Sequence, residues 1–165
     1  MWQRKQTVFL VLAAGCLILM IFFPVWTAGY TNPDGTQVEV ALYPLHFSIH
    51  PLSTNQQMIA AETNYLPYSI SAILAIAAAT LAIIEIGKFN NRLLQIKMGA
   101  LNALLMVGTM GSSVYFAISL IKTYQLQGSY GLSLFLPAVA MVSNTISNWM
   151  IRRDEKLVRD SDRIR

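Results

Sequence analysis

The sequence predicts an all-α membrane protein: a four-transmembrane-helix bundle with a small β-rich extracytoplasmic loop between helices one and two. Three observations carry that expectation. Charged residues make up only 12% of the 165 residues while 55% are apolar, too little charge to cover the surface of a soluble domain this size. Four apolar stretches, at residues 7–28, 66–87, 98–121 and 131–151, each reach the roughly 20 residues that a bilayer crossing requires. Lys and Arg fall almost wholly on one side of those stretches. The length allows a single domain, 1–165. The high apolar content excludes a disordered chain. With Cys16 as the lone cysteine, neither an intramolecular disulfide nor a cysteine zinc site can form.

Each element follows in order. In lipid the backbone must satisfy its own hydrogen bonds, so a span is a helix or a strand of a closed barrel. Barrel strands alternate in polarity over about ten residues, and these stretches do not, which leaves helices. The loop at 29–65 holds Asn32-Pro33-Asp34-Gly35, a turn signal. Residues 36–43 then alternate and favour a strand. Pro44 and Pro51 bracket a second extended candidate at 45–50. A hairpin or three-stranded patch is therefore expected there, packed on the helices or on a partner because two strands alone are marginal. Residues 53–64 are polar and read as a short helix or an ordered loop. The short connection at 122–130 makes the third and fourth spans antiparallel neighbours.

Eleven of the twelve basic residues lie before the first span, between the second and third, or in the tail at 152–165; only Lys122 lies on the other side. The positive-inside rule puts both termini in the cytoplasm. The net charge of +4 then reports topology and contact with lipid headgroups, and does not call for nucleic acid.

Polar residues inside spans are costly and therefore informative. Glu85, Asn102 and Asn148 share an expected depth of roughly 5 to 8 Å from the cytoplasmic boundary, with Asn144 one turn deeper. Together they read as a polar layer. The favoured reading is interhelical hydrogen bonding that fixes register; the alternative is a proton or ion relay or a small polar site. No ionisable residue falls near the midplane of any span, where a coupled transporter would carry one. Small residues at intervals of four, Ser71, Ala75 and Ala79, Gly99 and Ala103, Gly108 and Ser112, mark seams where helices approach closely, either within the chain or toward a second copy. Pro24 and Pro137 are candidate kinks.

Three further signals are weighed down by their surroundings. Arg4 and Lys5 before an apolar run ending at Cys16 look like a lipoprotein signal. The run is short for one, and the residues after Cys16 are apolar, so Cys16 reads as a small core residue. His46 and His50 would lie ~13 Å apart on an extended segment, too far for one metal ion. No serine elbow, carboxylate pair, phosphate loop or Cys-x-x-Cys pair is present, so no enzyme, cofactor or metal is expected. The tail carries favourable i,i+4 pairs, Glu155 with Arg159 and Lys156 with Asp160, and should extend the last span as a cytoplasmic helix. Arg92, Arg152, Arg153, Lys156, Arg159 and Arg163 form the expected contact surface for lipid or a protein partner.

The ends carry a resemblance. Trp2-Gln3-Arg4-Lys5-Gln6-Thr7 opens the first span, and Asn91-Arg92-Leu93-Leu94-Gln95-Ile96 leads to Asn102. Tyr130-Gly131-Leu132 precedes Phe135-Leu136-Pro137, and Asp154-Glu155-Lys156-Leu157-Val158-Arg159 precedes Asp162-Arg163. Over its whole length the chain resembles a family of small four-span inner-membrane proteins of unknown function from Bacteroidota, departing from it at Asp160. The resemblance implies a membrane location and no activity. The expected function is a non-enzymatic accessory or scaffold subunit of an envelope complex, touching membrane lipids and a protein partner or a second copy. A small transporter or channel is the alternative.

Overall fold

The computed structural model describes residues 5–31, 33, 35–51, 62–88 and 91–162. Helix α1 (Lys5–Leu19) runs into a 3-10 turn, Met20–Phe22. Strands β1 (Trp26–Thr31), β2 (Gln37–Leu42), β3 (Phe47–Pro51) and β4 (Glu62–Asn64) follow. Then come α2 (Ile70–Gly87), α3 (Arg92–Tyr124), β5 (Ser129–Tyr130), a 3-10 turn at Leu132–Leu134, and α4 (Leu136–Asp162). The strands form one antiparallel sheet in the order β4-β3-β2-β1-β5.

The fold is thus α+β, which corrects the expected all-α, four-transmembrane-helix bundle. Three helices are long and apolar enough to cross a membrane, over Ile70–Gly87, Arg92–Tyr124 and Leu132–Leu157; the apolar helix Gln6–Phe22 falls short of that length. Seventeen residues at helical rise make about 26 Å, against a hydrocarbon core of about 30 Å. The expected first span at 7–28 fails after Phe22. Phe23, held in extended geometry, precedes Pro24, whose ring disfavours helix in the residue before it. Beyond it Trp26 and Ala28 are buried while Thr27 is half-buried. That alternation has the period of a strand, which a count of apolar residues cannot register. The expected fourth span at 131–151 agrees in its start with the candidate span Leu132–Leu157, which opens on a 3-10 turn, Leu132–Leu134, just after Ser129 and Tyr130 pair with Thr27 and Trp26. Neither proline kinks a helix. Pro24 lies past the end of α1, and Pro137 lies in the first turn of α4, where a missing N–H removes no helical bond.

The sheet forms for local reasons. The turn before β2 carries Gly35 at φ 78, a left-handed conformation that glycine adopts without strain. In β2 the residues Val38, Val40 and Leu42 face inward, pairing with Tyr30, Ala28 and Trp26 of β1. This inner face packs on the far end of α3, where Phe116, Ala117 and Leu120 meet Val25, Trp26, Val40, Leu42 and Phe47 in one apolar cluster. Tyr68 stacks between Phe47 and Phe116, with ring centroids 5.5 and 5.3 Å away. The connection from α3 to α4 closes the sheet: Gly131 N–H donates to Val25 O at 2.9 Å. A Cβ at Gly131 would run into the Pro24 carbonyl, and one at Gly128 into the Thr27 carbonyl.

The helices pack side by side, α1 against α2 and α4, and α3 against α2 and α4. Their core is built from small and flexible side chains, Ala13, Cys16, Leu17 and Met20 of α1 with Ala75, Ala78 and Ala79 of α2, Met106 and Ala140. Small residues let the backbones approach. Ser71 Oγ lies 3.0 Å from Ser112 Oγ, which sets the antiparallel register of α2 on α3. Ser133 Oγ donates to Met20 O at one end of α1, and Ser147 Oγ to Gln6 O at the other, so α1 and α4 are antiparallel. Asn91 caps α3, its Oδ1 accepting from Leu94 N at 3.1 Å.

Candidate functional site

The end of the helices away from the sheet holds an unusual set of buried polar side chains. Glu85 of α2, Asn102 of α3 and Asn144 of α4 are fully buried, at 0% exposure, and Gln95 of α3 and Gln6 of α1 nearly so. Asn148 is half-buried. Direct bonds tie these helices together at this end. Gln95 Nε2 donates to the backbone carbonyl of Glu85 at 2.9 Å, and Asn144 Nδ2 donates to Gly99 O at 2.9 Å. Gly99 is where α3 and α4 come closest, since a Cβ there would strike the Asn148 carboxamide.

The register places Glu85 among the others. Carried fourteen residues along from Ser71 opposite Ser112, it sets Glu85 opposite residue 98, beside Gly99 and hence level with Asn144. Gln95, Gly99 and Asn102 share one face of α3 at spacings of four and three, and Glu85 falls between Gln95 and Asn102 in height.

The cluster is short of partners. Both carboxylate oxygens of Glu85, both amide atoms of Asn102, and Oε1 of Gln95, Oδ1 of Asn144 and Oδ1 of Asn148 have no hydrogen-bond partner. Two of these are acceptors by necessity. Gln95 and Asn144 each donate their nitrogen to a backbone carbonyl, so their free atom is the oxygen whichever way the amide is drawn. Elsewhere in the helices buried hydroxyls look after themselves. Thr109 donates to Leu105 O, Ser113 to Thr109 O and Ser143 to Val139 O, all at 2.9 Å. An unpartnered buried polar group costs about 1–3 kcal/mol, so the cluster is a concentrated expense at one place in the fold.

A cleft of about 300 Å³ between α3 and α4 reaches the cluster's edge at Asn144 and Asn148, lined also by Gly99, Ala103, Trp149 and Arg152 among others. A larger hollow of about 610 Å³ lies at the opposite end over β1 and β2, lined by Thr27, Tyr30, Glu39, Gln127 and Ser129 among others. The unpartnered buried atoms at that end are isolated ones, Trp26 Nε1 and His46 Nδ1, whereas seven gather in the polar cluster, so the chemistry is assigned to the cluster.

Of the residues singled out from sequence, Glu85, Asn102, Asn144 and Asn148 come to the same end of the helices. Gln95 and Gln6 were missed because both fall outside the assigned spans, 98–121 and 7–28. The signal for Gln95 was its spacing of seven from Asn102. The expected charged surface is partly visible. Arg152, Arg153 and Lys156 are exposed. The Arg153 guanidinium sits 5.8 Å from the centre of the Trp149 ring. Arg92 Nη1 donates to Asp154 O at 2.9 Å, tying the start of α3 to the extension of α4. Arg159 is described only as backbone of α4, and Arg163 lies outside the described residues, as do Asn32, Asp34 and residues 52–61. His46 stacks on Tyr43 at 5.0 Å, while His50 stands opposite Glu39 in the sheet.

No curated protein matches the chain. The family model described as "Domain of unknown function (DUF4293)" matches residues 2–164, and the chain belongs to that family.

Proposed function

We propose that this chain is an integral protein of a bacterial inner membrane that works through the polar cluster, passing or holding a small polar species at its cytoplasmic end, without being an enzyme. The observation that carries this reading is Glu85, a carboxylate at 0% exposure with neither oxygen partnered, set beside an equally unpartnered Asn102. Interhelical bonding for register alone would complete the hydrogen bonds of these two side chains, as it does for the nitrogen of Asn144. A membrane crossing is supported by α2, α3 and α4. Exposed Ile73, Ile76, Ile83, Leu101, Leu104 and Val107 give α2 and α3 outer surfaces suited to lipid. Orientation is supported by charge: Lys88, Arg92 and Lys97 share an end with Arg152, Arg153 and Lys156, which the positive-inside rule assigns to the cytoplasm. The resemblance to proteins of Bacteroidota agrees with an inner-membrane site.

The test is flux. Purified protein in liposomes loaded with a pH-sensitive dye should dissipate an imposed ion and pH gradient faster than protein-free liposomes, and Glu85→Gln should return the rate to background. Equal rates for wild type, Glu85→Gln and empty liposomes would overturn the proposal.

A second reading, an accessory subunit docking a protein partner, is favoured by one observation. The helix α4 continues to Asp162, well past the buried Ile151, and presents exposed Arg152, Arg153, Asp154 and Lys156 with Arg92 bracing it. Removal of residues 153–165 should then release a co-purifying protein while leaving flux untouched.

A further inference from the structure

We infer that the polar cluster is a binding site for a monovalent hard cation of the sodium or potassium class, held by Glu85 with the amide oxygens of Gln95, Asn102 and Asn144. The inference rests on the reading of this cluster as the working centre and adds its ligand. Three features of the donor set lead to it.

First, the free groups are nearly all oxygen acceptors. Six of the seven unpartnered atoms are oxygens, and the remaining one is Asn102 Nδ2. A second polar side chain would bring its own acceptors, whereas a cation uses acceptors alone. Second, oxygen ligands from carboxylate and carboxamide select hard cations over soft ones; the cluster has no thiolate or imidazole among the described residues. Third, the charge is minus one. Among the described side chains Glu85 is the one ionisable group buried in these helices apart from Cys16, and no Lys, Arg or His is buried. Lys88, Lys97, Arg152, Arg153 and Lys156 at this end are exposed, and Arg92 is half-buried and turned to Asp154 O. One carboxylate among neutral oxygens balances a single positive charge, while calcium or magnesium sites gather more carboxylates. A proton on Glu85 is the natural competitor, because it supplies the same charge to the same oxygens. A cleft between α3 and α4 opens onto Asn144 and Asn148 at the edge of the cluster.

The test uses the full chain in nanodiscs, titrated with sodium chloride, potassium chloride and choline chloride at equal ionic strength, from pH 6 to 9. Thermal midpoint and titration calorimetry are read in parallel. Sodium or potassium should raise the midpoint saturably and choline should not. Apparent affinity should weaken up to tenfold per pH unit as the carboxyl takes its proton. Glu85→Gln, which keeps the side-chain shape, should remove the response, and Asn144→Leu should weaken it at least fivefold with Glu85 intact. Identical responses of the wild type to all three salts would overturn the inference without any variant. So would an unchanged response in a folded Glu85→Gln, or, should that variant fail to fold, in Asn144→Leu. Cation binding without flux would sink the transport reading and leave the site standing; flux without cation binding would do the reverse.

Discussion

At the sheet end, Trp26, Phe47 and Phe116 are buried among apolar neighbours and five strands pair backbone to backbone, with Trp26 Nε1 and His46 Nδ1 as isolated unpartnered atoms. At the opposite end Glu85, Gln95, Asn102 and Asn144 are as deeply buried, yet their hydrogen bonds are incomplete. Helix α3 contributes to both, Gln95 and Asn102 at one end and Phe116, Ala117 and Leu120 at the other. The contrast teaches where stability and work are placed. The sheet end removes large apolar surfaces from water and fixes the ends of the helices. The other end carries groups that weaken the fold, and such groups persist where a task requires them.

Substitutions should therefore act with opposite sign at the two ends. The largest effect is expected from Trp26→Ala, which empties the centre of the apolar cluster. It should lower unfolding free energy by about 3–5 kcal/mol, read as a loss of thermal midpoint in detergent. Next comes Gly131→Ala, which drives a methyl group into the Pro24 carbonyl. Backbone cannot move aside as a side-chain tip can, so about 1–3 kcal/mol should be lost, with β5 separating from β1 first in amide hydrogen exchange. At the other end Glu85→Leu should have the reverse sign. In choline chloride, removing a buried carboxyl without partners should raise the unfolding free energy by up to about 3 kcal/mol, read as a higher thermal midpoint, while abolishing ion-driven flux. A destabilised Glu85→Leu would break the comparison, because it would mean that the carboxyl is held by the fold.

The smallest effect concerns His46. Its imidazole lies below the ordinary value of 6.5, first because burial disfavours the charged ring and then because His50 is nearby. Tyr43 and Tyr65 pack on it and supply no counter-charge, and its Nδ1 has no partner. The unfolded chain takes up the proton more readily than the folded one. The stability contribution is therefore complete above about pH 6.5 and is lost as pH falls through the lower, folded value. A mild drop in thermal midpoint between pH 7 and 5 should follow, and His46→Phe should flatten it.

Much of the helical part was legible in the residues. The small-residue seam at Gly99 does carry the close approach of α3 to α4, and Ser71 with Ser112 does join α2 to α3. These were readable because a helix puts residues four apart on one face. The strand candidate at 36–43 contains β2. By contrast β1 was hidden inside an apolar run, where hydropathy is the same for a strand packed on helices and a helix packed on lipid. β5 was too short to carry a pattern. Its two residues pair only because α3 and α4 bring the connection alongside β1.

The amino-acid sequence alone determined a chain too apolar to be covered by its charges, with basic residues gathered at one end; it counted four crossings where the structure has three helices of crossing length. Those properties are sums over local segments, and each segment carries its own share. Only the tertiary structure decided that the first apolar run ends in a strand, that five strands close one sheet, and that Gln95 joins Glu85, Asn102 and Asn144. Those outcomes depend on partners distant in the chain. A backbone group or a carboxylate takes its free energy from what stands opposite it, and nothing within a segment specifies that.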